Sequence, residues 1–153
     1  MAVKCIAMGN RIMGDDGIGV RAAEELSSTM SEEGIIFIFG ETDADYSLRM
    51  IEDGDFLFII DAAYTGAEPG TVTFNSIRDF NLKKPQFFSQ HQPSLIDLLK
   101  IYEKKTDGFI IGIEAEKIEF GLELSSKLKN RFPHICEEVL DFICLEIKKL
   151  NDK

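Results

Sequence analysis

Phe56-Leu57-Phe58-Ile59-Ile60-Asp61 is the stretch on which the fold turns. Five consecutive apolar residues rich in aromatic and β-branched side chains have the length and composition of a strand buried on both faces. An acid, Asp61, stands at the carboxyl end of that run. Strands covered on both faces belong mainly to parallel sheets, whose crossover connections lay helices over each side. The surrounding sequence has the same character. Ala2–Met8 is a short apolar run closed by Gly9-Asn10, Ile35–Phe39 is closed by Gly40, and Phe109–Ile113 is a further strand. Thr71–Phe74 alternates like a short edge strand after the turn-rich segment Thr65–Gly70.

Helical spacing fills the intervals. From Asp15 or Asp16 to about Ser28, the residues Ile18, Ala22, Ala23 and Leu26 recur on one face. Tyr46–Ile51 is expected to be helical, with Leu48 and Ile51 inward. Pro93 suits the first turn of a helix running to about Lys104, with Leu95, Leu98, Leu99 and Tyr102 on its apolar face. After Ser125 the pattern predicts helix to near Leu150, with a break or kink at Pro133 and an apolar stripe of Ile135, Val139, Ile143 and Ile147. Residues 75–90 read mostly as loop. With no linker or repeat, residues 1–153 are expected to form a single α/β domain, a mostly parallel sheet with helices on both faces.

The chain has 153 residues, long enough to bury its own core, and 17 Lys and Arg against 27 Asp and Glu, a formal net charge of -10. That balance argues against a nucleic-acid partner and against docking on an anionic membrane. A secretory leader is not expected from Met1–Ile6, and no apolar run reaches the ~20 residues of a membrane helix. The three cysteines, Cys5, Cys136 and Cys144, form neither a disulfide framework nor a zinc motif. They are expected to be buried packing thiols of a cytoplasmic protein.

In an open α/β sheet, ligands bind outside the carboxyl ends of the strands. Three segments are expected there: Gly9–Gly19 after the first strand, Asp61-Ala62-Ala63 after the third, and Ser89-Gln90-His91-Gln92 before a helix. The first has four glycines but fits neither GxGxxG nor the P-loop pattern and lacks the Walker lysine. Its acidic pair also counts against a nucleotide-binding module. For Asp15 the simplest role is to cap the helix that follows. For Asp16 capping and chemistry are closely balanced. Asp61 interrupts an apolar strand, where an ionised carboxylate must be paired, hydrogen-bonded or metal-bound. His134 follows Pro133 and reads as a surface or packing residue. Two carboxylates and one imidazole, from Asp16, Asp61 and His91, make a mixed donor set suited to nickel, zinc, cobalt or another borderline divalent cation, with positions left open.

Gly9-Asn10, Gly14-Asp15-Asp16-Gly17-Ile18-Gly19-Val20-Arg21, Ile60-Asp61-Ala62, Glu68-Pro69-Gly70-Thr71, His91-Gln92, Gly112-Ile113-Glu114 and Leu124-Ser125 are collinear. Together they resemble the hydrogenase maturation proteases, which trim the C-terminus of the NiFe hydrogenase large subunit. The resemblance implies a twisted, mainly parallel sheet and an endopeptidase with the large-subunit precursor as its partner. It places the family's metal-binding positions on Asp16, Asp61 and His91, which are the candidate catalytic residues as well. It further implies that nickel is supplied by the loaded precursor rather than held permanently. Asp16 is the shorter alternative to a glutamate found in some members, and Arg11 is an added cation beside the opening loop. A non-catalytic nickel-binding chaperone would use the same three residues. Position alone suggests that the Thr65–Gly70 loop lies near the docked peptide.

Overall fold

The computed structural model describes residues 1–30, 33–80 and 93–153. Five strands, β1 (Val3–Met8), β2 (Ile36–Glu41), β3 (Phe56–Ala63), β4 (Val72–Ser76) and β5 (Asp107–Glu114), form one sheet in the order β2-β1-β3-β5-β4. The first three neighbouring pairs are parallel, while β4 runs antiparallel to β5 at the edge. The mostly parallel sheet expected from the apolar runs is therefore present, with Thr71–Phe74 displaced by one or two residues into β4.

Alternation along the strands divides the core. Cys5, Ala7, Phe56, Phe58, Ile60, Ile111 and Ile113 face α1 (Ile18–Thr29) and α5 (Ser126–Asn151). On the opposite face Ile6, Met8, Leu57 and Ile59 meet Leu48 of α2 (Ala44–Arg49), Ile77 of α3 (Ile77–Phe80), and Leu95, Leu98 and Leu99 of α4 (Leu95–Ile101). Period-two strands sandwiched between amphipathic helices thus bury both faces, as the sequence pattern requires.

Several boundaries differ from the sequence expectation. Asp15 and Asp16 lie in a 3-10 turn, Gly14–Gly17, and the α-helix begins only at Ile18. Pro93 precedes α4 rather than opening it. Ser94 is the N-cap and forms a reciprocal capping box with Asp97, which satisfies the first-turn amides more completely than proline can. That helix ends at Ile101, and Tyr102 is 63% exposed instead of joining the apolar face. The α5 helix continues through Pro133 without interruption. Leu128 before the proline and Ile135, Val139 and Ile143 after it are fully buried, so packing outweighs the missing amide. Residues 77–80, expected as loop, form α3 because Ile77 has a place in the core. Among the described residues, no helix is long and apolar enough to cross a membrane.

One close approach positions the site. A Cβ at Gly19 would lie 2.8 Å from the Ile60 carbonyl oxygen and 3.0 Å from that of Met8. Glycine lets the start of α1 press against the ends of β1 and β3, which carries Asp16 toward Asp61.

Candidate active site at the carboxyl edge of the sheet

The turn after β1 is built around carboxylates. Gly9 has φ of 133°, and a side chain there would meet the Asp16 carbonyl oxygen at 2.2 Å. The chain consequently doubles back tightly, and the Asn10 amide donates to Asp16 Oδ2 at 2.8 Å. The Tyr64 hydroxyl, from the segment leaving β3, donates to Asp16 Oδ1. Among the described residues Asp16 is thus held by one donor on each oxygen, and it remains partly exposed.

Asp61 sits within β3, opposite Gly112 of β5, and the strand runs two residues beyond it. Its Oδ1 accepts a 2.8 Å hydrogen bond from the Ala62 amide. Burial, reinforced by the negative charge of Asp16, pushes the Asp61 carboxyl up to about 7, against the weaker opposing pull of that amide. The same surroundings, burial first and then the bond and charge of Asp16, push the Tyr64 phenol upward. Asp16 and Asp61 therefore share one electrostatic environment at the edge where ligands bind in such sheets. His91 lies outside the described residues. Among the described residues no group of three His, Cys, Asp or Glu side chains is arranged to hold a metal ion.

Asp15 does not cap the helix that follows it, contrary to the simplest expectation. Neither the 3-10 turn nor α1 has a side-chain cap. Asp15 is fully buried, and its carboxylate accepts the amides of Glu116 and Lys117 at 2.9 Å each and of Ser125 at 2.7 Å. Burial raises its proton affinity, but those amides and the Ser125 hydroxyl outweigh it and hold the carboxyl below its ordinary value. The Arg11 guanidinium, an added cation by sequence, is turned to Glu41 and Glu24 at 2.6 Å each, so it braces the turn against β2 and α1.

Two residues of the site carried no role in the sequence reading. Tyr64 had no signal beyond standing three positions after Asp61. Glu114, buried at the end of β5, accepts from the Thr65 hydroxyl at 2.6 Å and from the Thr65 and Gly66 amides, fixing the turn after Tyr64. Its signal was an acid ending an apolar strand, the same one that singled out Asp61. Burial disfavours the thiolate at two of the cysteines, pushing Cys5 up to about 12 and Cys136 up to about 11. Cys144 is exposed, not buried as expected. His134 is on the surface beside Glu138, as expected.

Comparison with known proteins decides the family. The family model described as HycI, hydrogenase maturation protease, matches residues 20–142. This chain belongs to the hydrogenase maturation protease family. The NiFe hydrogenase maturation protease HybD from Thermococcus kodakarensis is 30% identical, with a TM-score of 0.69 over 93% of this chain and 99% of that one. The hydrogenase maturating endopeptidase HybD from E. coli, at 22% identity, shares the fold with a TM-score of 0.76 over 95% and 94% of the two chains. The hydrogenase expression/formation protein HoxM of Azotobacter vinelandii is 26% identical across 90% of this chain and 70% of its own length. The maturation protease is accordingly an enzyme of the peptidase class, and its α/β sheet is the family's fold.

Proposed function

We propose that this maturation protease removes the C-terminal extension of a nickel-loaded NiFe hydrogenase large-subunit precursor and recognises the bound nickel through Asp16, Asp61 and His91. The observation that supports it is the pairing of Asp16 with Asp61 at the carboxyl edge. Burial and then the Asp16 charge raise the proton affinity of Asp61, and a divalent cation reverses that effect. The pair is chemically suited to accept a dication with release of a proton. Aspartate oxygens and a histidine nitrogen fit nickel, which arrives on the substrate with its own ligands and can add these. Water then adds across the scissile peptide bond, its oxygen joining the mature C-terminus and a proton passing to the amine of the released extension. The Thr65–Gly70 turn borders the site and is suited to contact the extended peptide.

The test is mass measurement of nickel-loaded and nickel-free precursor after incubation with the protein, with free nickel removed. Cleavage of the loaded form alone is expected, and D16N, D61N and H91A are each expected to abolish it. Equal cleavage of both forms would show that the cluster does not read the precursor's metal. Binding of loaded precursor with no change in mass would make the protein a nickel chaperone instead.

A further inference from the structure

We propose that Tyr64 is a positioning residue: its hydroxyl and the Asn10 amide grip the two oxygens of Asp16 and fix the carboxylate in the orientation that meets the precursor's nickel. This rests on the reading of Asp16 as a nickel contact. Asp16 lies on a four-residue 3-10 turn and is partly exposed, so burial alone does not select its side-chain rotamer. The two donors come from different parts of the chain, Asn10 after β1 and Tyr64 after β3, 48 residues from Asp16. Each acts on a separate oxygen, which removes rotation about the terminal torsion as well as about χ1.

This grip does not block a metal. A carboxylate has about four lone-pair sites, and the Asn10 and Tyr64 donors together use about two of them. Partners of this kind orient ligating carboxylates, and their loss typically costs about 10–100-fold in metal affinity or activity. Tyr64 also joins the two acids mechanically. It follows Asp61 by three residues on the same strand exit, so movement of that exit is transmitted to Asp16. Tyr64 is 39% exposed, so its hydroxyl stands at the open edge of the sheet beside Asp16.

The experiment uses the full chain and nickel-loaded precursor. Y64F keeps the ring and removes the hydroxyl, so its melting temperature should match wild type. Its Kd for the precursor on immobilised protein, and its KM, should rise roughly tenfold or more, with a smaller change in kcat. In a D16N background, Y64F should add no further loss of precursor binding, because the hydroxyl acts through Asp16. Wild-type Kd and KM in Y64F, with D16N impaired, would overturn the role of Tyr64 and leave the nickel reading intact. Wild-type precursor binding by D16N would overturn the nickel reading itself. A Y64F effect confined to kcat, or undiminished in the D16N background, would show that Tyr64 does not work through Asp16.

Discussion

The Asp15 carboxylate accepts a 2.7 Å hydrogen bond from the Ser125 amide, 110 residues further along the chain. With the amides of Glu116 and Lys117 it clamps the segment before α5 onto the turn that carries Asp16. Asp15 is therefore a buried strut of the turn, whereas its neighbour Asp16 stays partly exposed. D15A leaves three backbone donors without their acceptor and is expected to cost about 2–4 kcal/mol in urea unfolding. D15N keeps one oxygen and should lose less. Because the folded-state value of Asp15 is depressed, its stabilisation is present above the unfolded value near ~4 and fades as pH falls through the folded one. The gap between wild type and D15A should narrow in acid. A gap constant down to pH ~2 would mean that Asp15 is not held ionised in this way.

Asp61 has the opposite sign. Its carboxyl is raised to about 7, so the folded state binds its proton more tightly than the unfolded chain does. Stability should fall as pH rises from ~4 to about 7, and D61N should be more stable than wild type above that window. Removing the charge at position 16 with D16N should lower the midpoint for Asp61 but leave it above ordinary, since burial is the larger cause. A carbon-13 titration of the Asp61 carboxyl reads this directly. A midpoint near ~4 in wild type would remove the electrostatic pairing on which the site is built.

What could be read from sequence follows from how local each cause is. The strand runs and the α5 stripe are legible because burial on a sheet or helix face imprints a period on neighbouring residues. The burial of the Asp61 carboxyl is legible because one acid in an apolar run is costly wherever the chain folds. Asp15 was misread because its three donors are about 100 residues away, and an acid ahead of a helix looks locally like a cap. Tyr64 was invisible for a similar reason, since its partner lies 48 residues earlier. The unbroken helix at Pro133 shows the converse, a strong local signal overruled by packing on both sides.

A thiol mechanism is a competing expectation for any peptidase with a buried cysteine. Cys136 is buried, and burial followed by the charge of Glu25 pushes its thiol up to about 11, leaving almost no thiolate near neutral pH. It packs in the core formed with α1 and α5. C136S should leave processing of the precursor essentially unchanged and cost no more than modest stability. Loss of cleavage at unchanged melting temperature would require the thiol to act in the reaction.

Glu114 presents the clearest separation between local and global effects. Its carboxylate holds the Thr65 hydroxyl and the amides of Thr65 and Gly66, while its backbone pairs with Gly70 and Thr71 across the same turn. Replacing Glu114 by alanine leaves the backbone pairs in place but strips the acceptor from three donors. The expected loss is about 1–3 kcal/mol, because the exposed turn can recruit water for part of what is lost. Native-state hydrogen exchange should quicken selectively at Thr65 and Gly66, with the amides of β3 and β5 protected nearly as before. The turn follows Tyr64 directly, so loosening it should also weaken processing of the precursor through the grip on Asp16. Uniform acceleration of exchange across the sheet would instead make Glu114 a general support of the fold. Unchanged exchange at Thr65 and Gly66 would mean that the turn is fixed by its backbone pairs alone.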